Sequence, residues 1–234
     1  MKKMYLAGLT IGFFLVGGLS VAQSTTLTIN DIDGDWANWS PVSGVTVQND
    51  IGTNGTLSTA RWGTPVSGSG QSGYDFISNG TPLNVESDGS MFALGDFTHL
   101  NFPITGISLD YIDLVLTLGV DGVASSIAAT FFIDHDETPN NGPNPNDIVT
   151  IANPIVNELI TVGGDDYYFN LFGFSQDGGL TISNVFSTVE GQANMATLYG
   201  RITEVPVDPV PEPATMLLFG SGLAGLAALR RKKK

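Results

Sequence analysis

"YIDLVLTLGVD", residues 111–121, decides the fold. Ile112, Leu114, Leu116, Leu118 and Val120 occupy alternate positions, with Asp113, Thr117 and Asp121 on the opposite parity. A period of two belongs to a strand with one face in a core and the other in water. Asp121-Gly122 is hairpin turn chemistry, and "SSIAATFFID" (125–134) reads as the returning strand. Further out, "PIVNELITV" (154–162) and "YYFNLFGF" (167–174) flank "GGDD" as a second hairpin, and "TLYGRIT" (197–203) reads as a closing strand. Turn-rich stretches such as "GTPVSGSGQSG" (63–73) lie between. No helical period or fixed repeat interrupts this pattern between the termini. The fold class is all-β, an antiparallel sandwich or jelly roll.

The ends of the chain differ from this middle. The sequence begins "MKKMYLAGLTIGFFLVGGLSVAQS": two lysines, an apolar run from Met4 to Leu19, then small residues. That order is the one found in secretory signal peptides, so residues 1–22 are expected to be removed, with cleavage after Ser24 as the alternative. Of the nine basic residues, only Arg61 and Arg201 lie between the termini, against 22 acidic residues, a formal charge of −20 for that part. Such a surface repels phosphate, which argues against nucleic acid as a partner, and attracts divalent cations. The chain has no Cys, so an exported domain of this sequence folds without disulfides.

At the other end, sixteen uncharged residues, Ala214 to Leu229, precede Arg230, Arg231 and three lysines. As a helix this run spans roughly 24 Å, a little short of a ~30 Å hydrocarbon layer, and flanking basic side chains can snorkel. The basic cluster places that end in the cytoplasm and the preceding domain outside. The organisation expected is a signal peptide (1–22), a β-sandwich ectodomain (23–203), a Pro-rich linker (204–210) and a tail (211–234) whose single transmembrane helix covers 214–229.

Pro211-Glu212-Pro213 immediately before the apolar span, with the Arg-led basic end after it, resembles the PEP-CTERM sorting signal of Gram-negative bacteria. The resemblance implies an exosortase as partner, a membrane-embedded transpeptidase-like enzyme of exopolysaccharide producers. Pro211, Glu212 and Pro213 would be the recognised triplet, and Arg230 and Arg231 the cytoplasmic stop. Within the middle part, "GDFTHLNFPI" (95–104) carries Thr98, His99 and Asn101 in an arrangement that resembles the motif of the THxN family of PEP-CTERM proteins. "RWGTP" (61–65) and "ETPNNGPNPNDIVTI" (137–151) are similar to the same pattern and to choice-of-anchor domains. That family implies an extracellular β-rich domain without established chemistry.

Several residues are candidates for chemistry. On an extended strand His99 and Asn101 share a face, either contacting a ligand or metal or forming a structural pair hydrogen-bonded to neighbouring backbone. With His135 the sole other histidine, a multi-His zinc site within one chain is not expected. Calcium is the metal expected, if any, since oxygen ligands are plentiful. "NDIDGDW" offers Asp31, Asp33 and Asp35, convergent if the segment curls as a loop, and "DHDETPNNGPNPND" offers Asp134, Asp136, Glu137 and Asp147. Catalysis has little support: there is no Cys, no G-x-S-x-G elbow and no recognisable triad.

The expected role is therefore a non-enzymatic, exosortase-processed surface or matrix protein with a structural, biofilm or exopolysaccharide-associated function. A carbohydrate-binding module is the alternative, with Trp36, Trp39, Trp62, Tyr167 and Tyr168 as stacking platforms or, otherwise, as core. A small glycoside hydrolase is a third reading, resting on paired carboxylates.

Overall fold

The computed structural model describes residues 24–52, 55–66, 68, 70–138 and 146–206. The expected signal peptide and transmembrane tail lie outside these residues. No helix among the described residues is long and apolar enough to cross a membrane.

Among the described residues, fifteen strands form two large antiparallel sheets and a two-stranded ribbon. The first sheet contains β1 (Thr26–Ser40), β6 (Leu83–Glu86), β9 (Tyr111–Val120), β10 (Ile127–Asp136), β11 (Asp147–Ile151) and β14 (Val185–Thr188). Its spatial order is β14-β11-β10-β9-β1-β6. The second contains β2 (Val45–Ile51), β3 (Leu57–Trp62), β5 (Ser72–Ser78), β7 (Asp88–Asn101), β12 (Glu158–Val162), β13 (Asp165–Ser175) and β15 (Gln192–Glu204). Its order is β12-β13-β15-β7-β5-β3-β2. β4 (Thr64–Pro65) and β8 (Ile104–Thr105) make the ribbon.

β9 follows its sequence period residue for residue. Ile112, Leu114, Leu116, Leu118 and Val120 are buried and the intervening residues are half-buried. Its neighbour β10 pairs in the register Ile127↔Leu118 to Asp134↔Tyr111. The second expected hairpin is also present, but its turn is Gly163-Gly164 alone, because Val162 already pairs with Asp165. Both glycines have positive φ, +64° and +99°, the backbone that a two-residue hairpin requires and that side chains resist.

The sheets meet face to face in a sandwich-like arrangement around one core. Trp36 of β1 lies 5.8 Å from Tyr74 of β5, Phe131 of β10 lies 6.2 Å from Phe169 of β13, and Phe186 of β14 lies 6.1 Å from Phe97 of β7. Glycine makes room for a core aromatic: a Cβ on Gly34 of β1 would collide with the ring of Phe76 from the facing sheet, and one on Gly95 of β7 with the Ile77 carbonyl and the same ring on the neighbouring strand.

The two ends of the domain meet at Ser87. Its N–H donates to the Thr25 carbonyl at 2.9 Å, and its own carbonyl accepts from the Glu204 N–H at 3.1 Å. The Val205 N–H donates to the Asp166 carbonyl at 2.9 Å. Ordered sheet thus continues through Glu204, one residue past the boundary expected from the prolines.

Candidate functional site: a buried polar cluster between the sheets

The Thr98–Asn101 motif lies at the end of β7, in the middle of the second sheet. His99 pairs with Tyr74 of β5 on one side and Asn194 of β15 on the other. His99 and Asn101 do share a face, and it is the inner one, together with Phe97; all three are fully buried. Thr98 and Leu100, on the outer parity, are half-buried.

From the opposite sheet, β10 sends His135 inward on the parity of Phe131 and Ile133, and β11 contributes Asp147. The two imidazoles stand 5.1 Å apart, nearly perpendicular. His99, His135 and Asp147 each offer a ligand atom within 4.8 Å of the others, and all three residues are buried. Both histidines of the chain therefore occupy one cluster, a convergence that their sequence positions do not announce.

Hydrogen bonds orient the rings. His99 Nδ1 lies 2.9 Å from the Thr188 hydroxyl of β14. That hydroxyl donates its single proton to the Asp147 carbonyl, 3.2 Å away, and accepts from the Asn101 amide at 3.4 Å. A carbonyl can only accept, so Thr188 has no proton left for His99 and the His99 Nδ1–H is the donor. The Nε2 of His99 consequently carries a lone pair, and that atom is buried without a hydrogen-bond partner. Burial, then the neighbouring His135, holds the His99 imidazole well below its usual pKa, so it is neutral. His135 Nδ1 meets the Tyr74 hydroxyl at 2.5 Å and its Nε2 lies 3.4 Å from Glu137, whose side chain is 25 % exposed. Trp62 covers the pair, stacked on His99 at 6.0 Å and edge-on to His135 at 5.3 Å.

Asp147 is fully buried. Its Oδ1 accepts from the Thr138 N–H at 2.9 Å, while Oδ2 is buried without a hydrogen-bond partner. Burial pushes its pKa up to about 6, against the opposing pull of the Thr138 hydrogen bond. Asn101 donates to the Thr188 carbonyl at 3.2 Å, but its Oδ1 too has no donor. His99 and Asn101 thus tie the sheets together through Thr188. Three acceptor atoms facing the same interior remain unmatched, which folded proteins rarely tolerate.

The acidic candidates are distributed differently from their sequence expectation. "NDIDGDW" is strand, not loop: Ile32, Gly34 and Trp36 point inward, and Asp33 and Asp35 point outward. Asp33 and Asp35 come together with Asp50 of β2, while Asp31, exposed beside a register shift, is outside that group. Burial first, then mutual repulsion with Asp35 and Asp50, raises the Asp33 carboxyl; burial and Asp50 raise Asp35. Gly34 N–H and Ser58 Oγ already donate to these two groups, at 2.8 and 3.4 Å. On β10, Asp134 and Asp136 are exposed on the face opposite His135, and they do not join Glu137 and Asp147 in one ligand set. Of that second acidic candidate, Glu137 and Asp147 belong to the buried cluster.

The aromatic candidates are mostly core. Trp36 and Tyr167 are 2 % exposed and Trp62 0 %, Trp39 packs partly buried against the core, and Tyr168 is half-buried.

Sequence reasoning missed Tyr74, Thr188 and Asp50. Nothing local marks them, since each acquires its partner only when distant strands are brought together.

No curated protein matches the chain. Pro211, Glu212, Pro213, Arg230 and Arg231 lie outside the described residues, but they fall within a recognised pattern: residues 209–232 match the family described as the PEP-CTERM protein-sorting motif, so the chain carries the sorting signal of PEP-CTERM proteins, which marks an exported chain for recognition by an exosortase.

Proposed function

We propose that this chain is a non-enzymatic surface or extracellular-matrix protein, tethered briefly to the inner membrane by its tail, cut by an exosortase, and then structural within an exopolysaccharide or biofilm matrix. The observation that carries the reading is the position of the sorting motif. It begins at residue 209, while β15 ends at Glu204, so only four residues, 205–208, separate folded domain from signal. A sandwich that ends so close to a processing site suits a protein displayed as a compact module. The strongly acidic middle part, with a formal charge of −20, suits hydrated surroundings rich in divalent cations.

A structural role is also supported by where the aromatics lie. Sugar-binding platforms need an exposed ring face, and Trp36, Trp62 and Tyr167 present none. The alternative of a carbohydrate-binding module is left with Trp39 and Tyr168.

Intact mass of the protein isolated from envelope and medium tests the processing step. In cells with the exosortase the mature form lacks "RRKKK"; in cells without it the basic end is retained. A mature form ending at Lys234 in both backgrounds refutes the reading.

A further inference from the structure

We propose that His99 Nε2, His135 Nε2 and Asp147 Oδ2 bind one divalent transition-metal ion of the zinc class, which staples the two sheets together from within the core. The inference concerns the folded domain and does not depend on how the tail is processed.

Three observations converge. First, the donor set is nitrogen-rich: two imidazoles and one carboxylate, with ligand atoms within 4.8 Å of one another. Imidazole suits zinc, cobalt, copper, iron and nickel, whereas calcium takes oxygen. Second, two of the three proposed ligand atoms, His99 Nε2 and Asp147 Oδ2, are buried acceptors without a hydrogen-bond partner. A cation gives both a partner. Third, the remaining atoms of these side chains are already held as metal ligands usually are, by outer hydrogen bonds. His99 donates from Nδ1 to Thr188, Asp147 Oδ1 accepts from the Thr138 N–H, and His135 Nδ1 contacts the Tyr74 hydroxyl.

Loading asks for two small changes. Ligands of a tetrahedral zinc site stand roughly 3.3 Å apart, so the cluster contracts by a small movement of the rings. The second sets the His135 tautomer: with its proton on Nδ1, donated to the Tyr74 oxygen, Nε2 carries the lone pair that binds the ion. Glu137, released from His135 and partly exposed, links the site to solvent. His99 comes from the second sheet and His135 and Asp147 from the first, so the ion cross-links the layers in a chain that has no cysteine.

The test uses the full chain in detergent, stripped with chelator and titrated with Co²⁺ while its visible absorption and thermal midpoint are read. One Co²⁺ binds per chain with the intense bands of a four-coordinate nitrogen–oxygen site, water taking the position left by the three side chains, and Zn²⁺ displaces it. At a hundredfold excess over Kd the midpoint rises by roughly 5–10 °C; Ca²⁺ reproduces neither signal. Asp147→Asn keeps the side-chain size and weakens Co²⁺ binding by more than about 100-fold, beyond the loss typical of an outer-shell change. His99→Gln does the same, and the double variant Asp33→Asn/Asp35→Asn binds as the parent does.

Failure to bind stoichiometrically, binding untouched by both ligand variants, or binding lost in the Asp33/Asp35 variant overturns the proposal and leaves the cluster a hydrogen-bonding network. If neither ligand variant folds, the parent spectrum decides: weak six-coordinate bands overturn the assignment and intense four-coordinate bands support it.

Discussion

Replacing Trp62 by alanine separates a core role from a sugar-binding one. The side chain is 0 % exposed, edge-on to Tyr74 at 4.9 Å and stacked on His99 at 6.0 Å. A ring of this size removes roughly 200 Å² from water. At about 25 cal/mol per Å² that is ~5 kcal/mol, and allowing for partial burial in the unfolded chain brings it to ~3–4 kcal/mol. The range measured for large aromatic-to-alanine changes is about 3–5 kcal/mol. Its Nε1 has no hydrogen-bond partner, so no hydrogen bond is lost with it. For a domain of this size the loss lowers the thermal midpoint by roughly 7–15 °C. Thermal and urea unfolding of the full chain in detergent, beside a polysaccharide pull-down, gives the readout. A variant that unfolds within about 0.5 kcal/mol of the parent yet no longer retains polysaccharide refutes the core placement. Such a result makes Trp62 a stacking platform instead.

Two further outcomes follow from the packing and the electrostatics. Gly34→Ala forces a Cβ into the Phe76 ring and is expected to cost about 1–3 kcal/mol in urea unfolding; a neutral result means the sheets are spaced more widely there. Asp177 accepts from the Thr181 N–H at 2.9 Å and the Ser175 hydroxyl at 2.8 Å, which holds its pKa at about 2 against an ordinary 3.8. Because the folded value is the lower one, this contribution to stability is present above about pH 4 and is lost as pH falls through about 2. A carboxyl NMR titration of Asp177 with a midpoint near 3.8 would show that the turn does not hold it.

Strand character was legible wherever a single parity carried the apolar residues, as in Ile112 to Val120. The same rule, applied to "IAATFFIDHD" (127–136), puts His135 on the inward parity of Phe131 and Ile133. Its acidic neighbours drew attention to the opposite face. "NDIDGDW" failed for a related reason: carboxylates at every second position suit both a metal loop and the wet side of a strand. Only the alternate residues Ile32, Gly34 and Trp36 decide between the two. Convergence of His99, His135 and Asp147 was out of reach, because it depends on which strands face each other across the core. Sequence spacing carries no information about that pairing.

The placement of β15 has a mechanical consequence. The tail leaves from a thirteen-residue strand that lies inside its sheet, paired over eleven positions with β7 and eight with β13. Tension applied along the carboxyl end loads those two ladders lengthwise, so many rungs resist at once. An outermost strand would instead peel away one rung at a time. In a domain held by that end, the point of attachment is thus among the hardest parts to unravel.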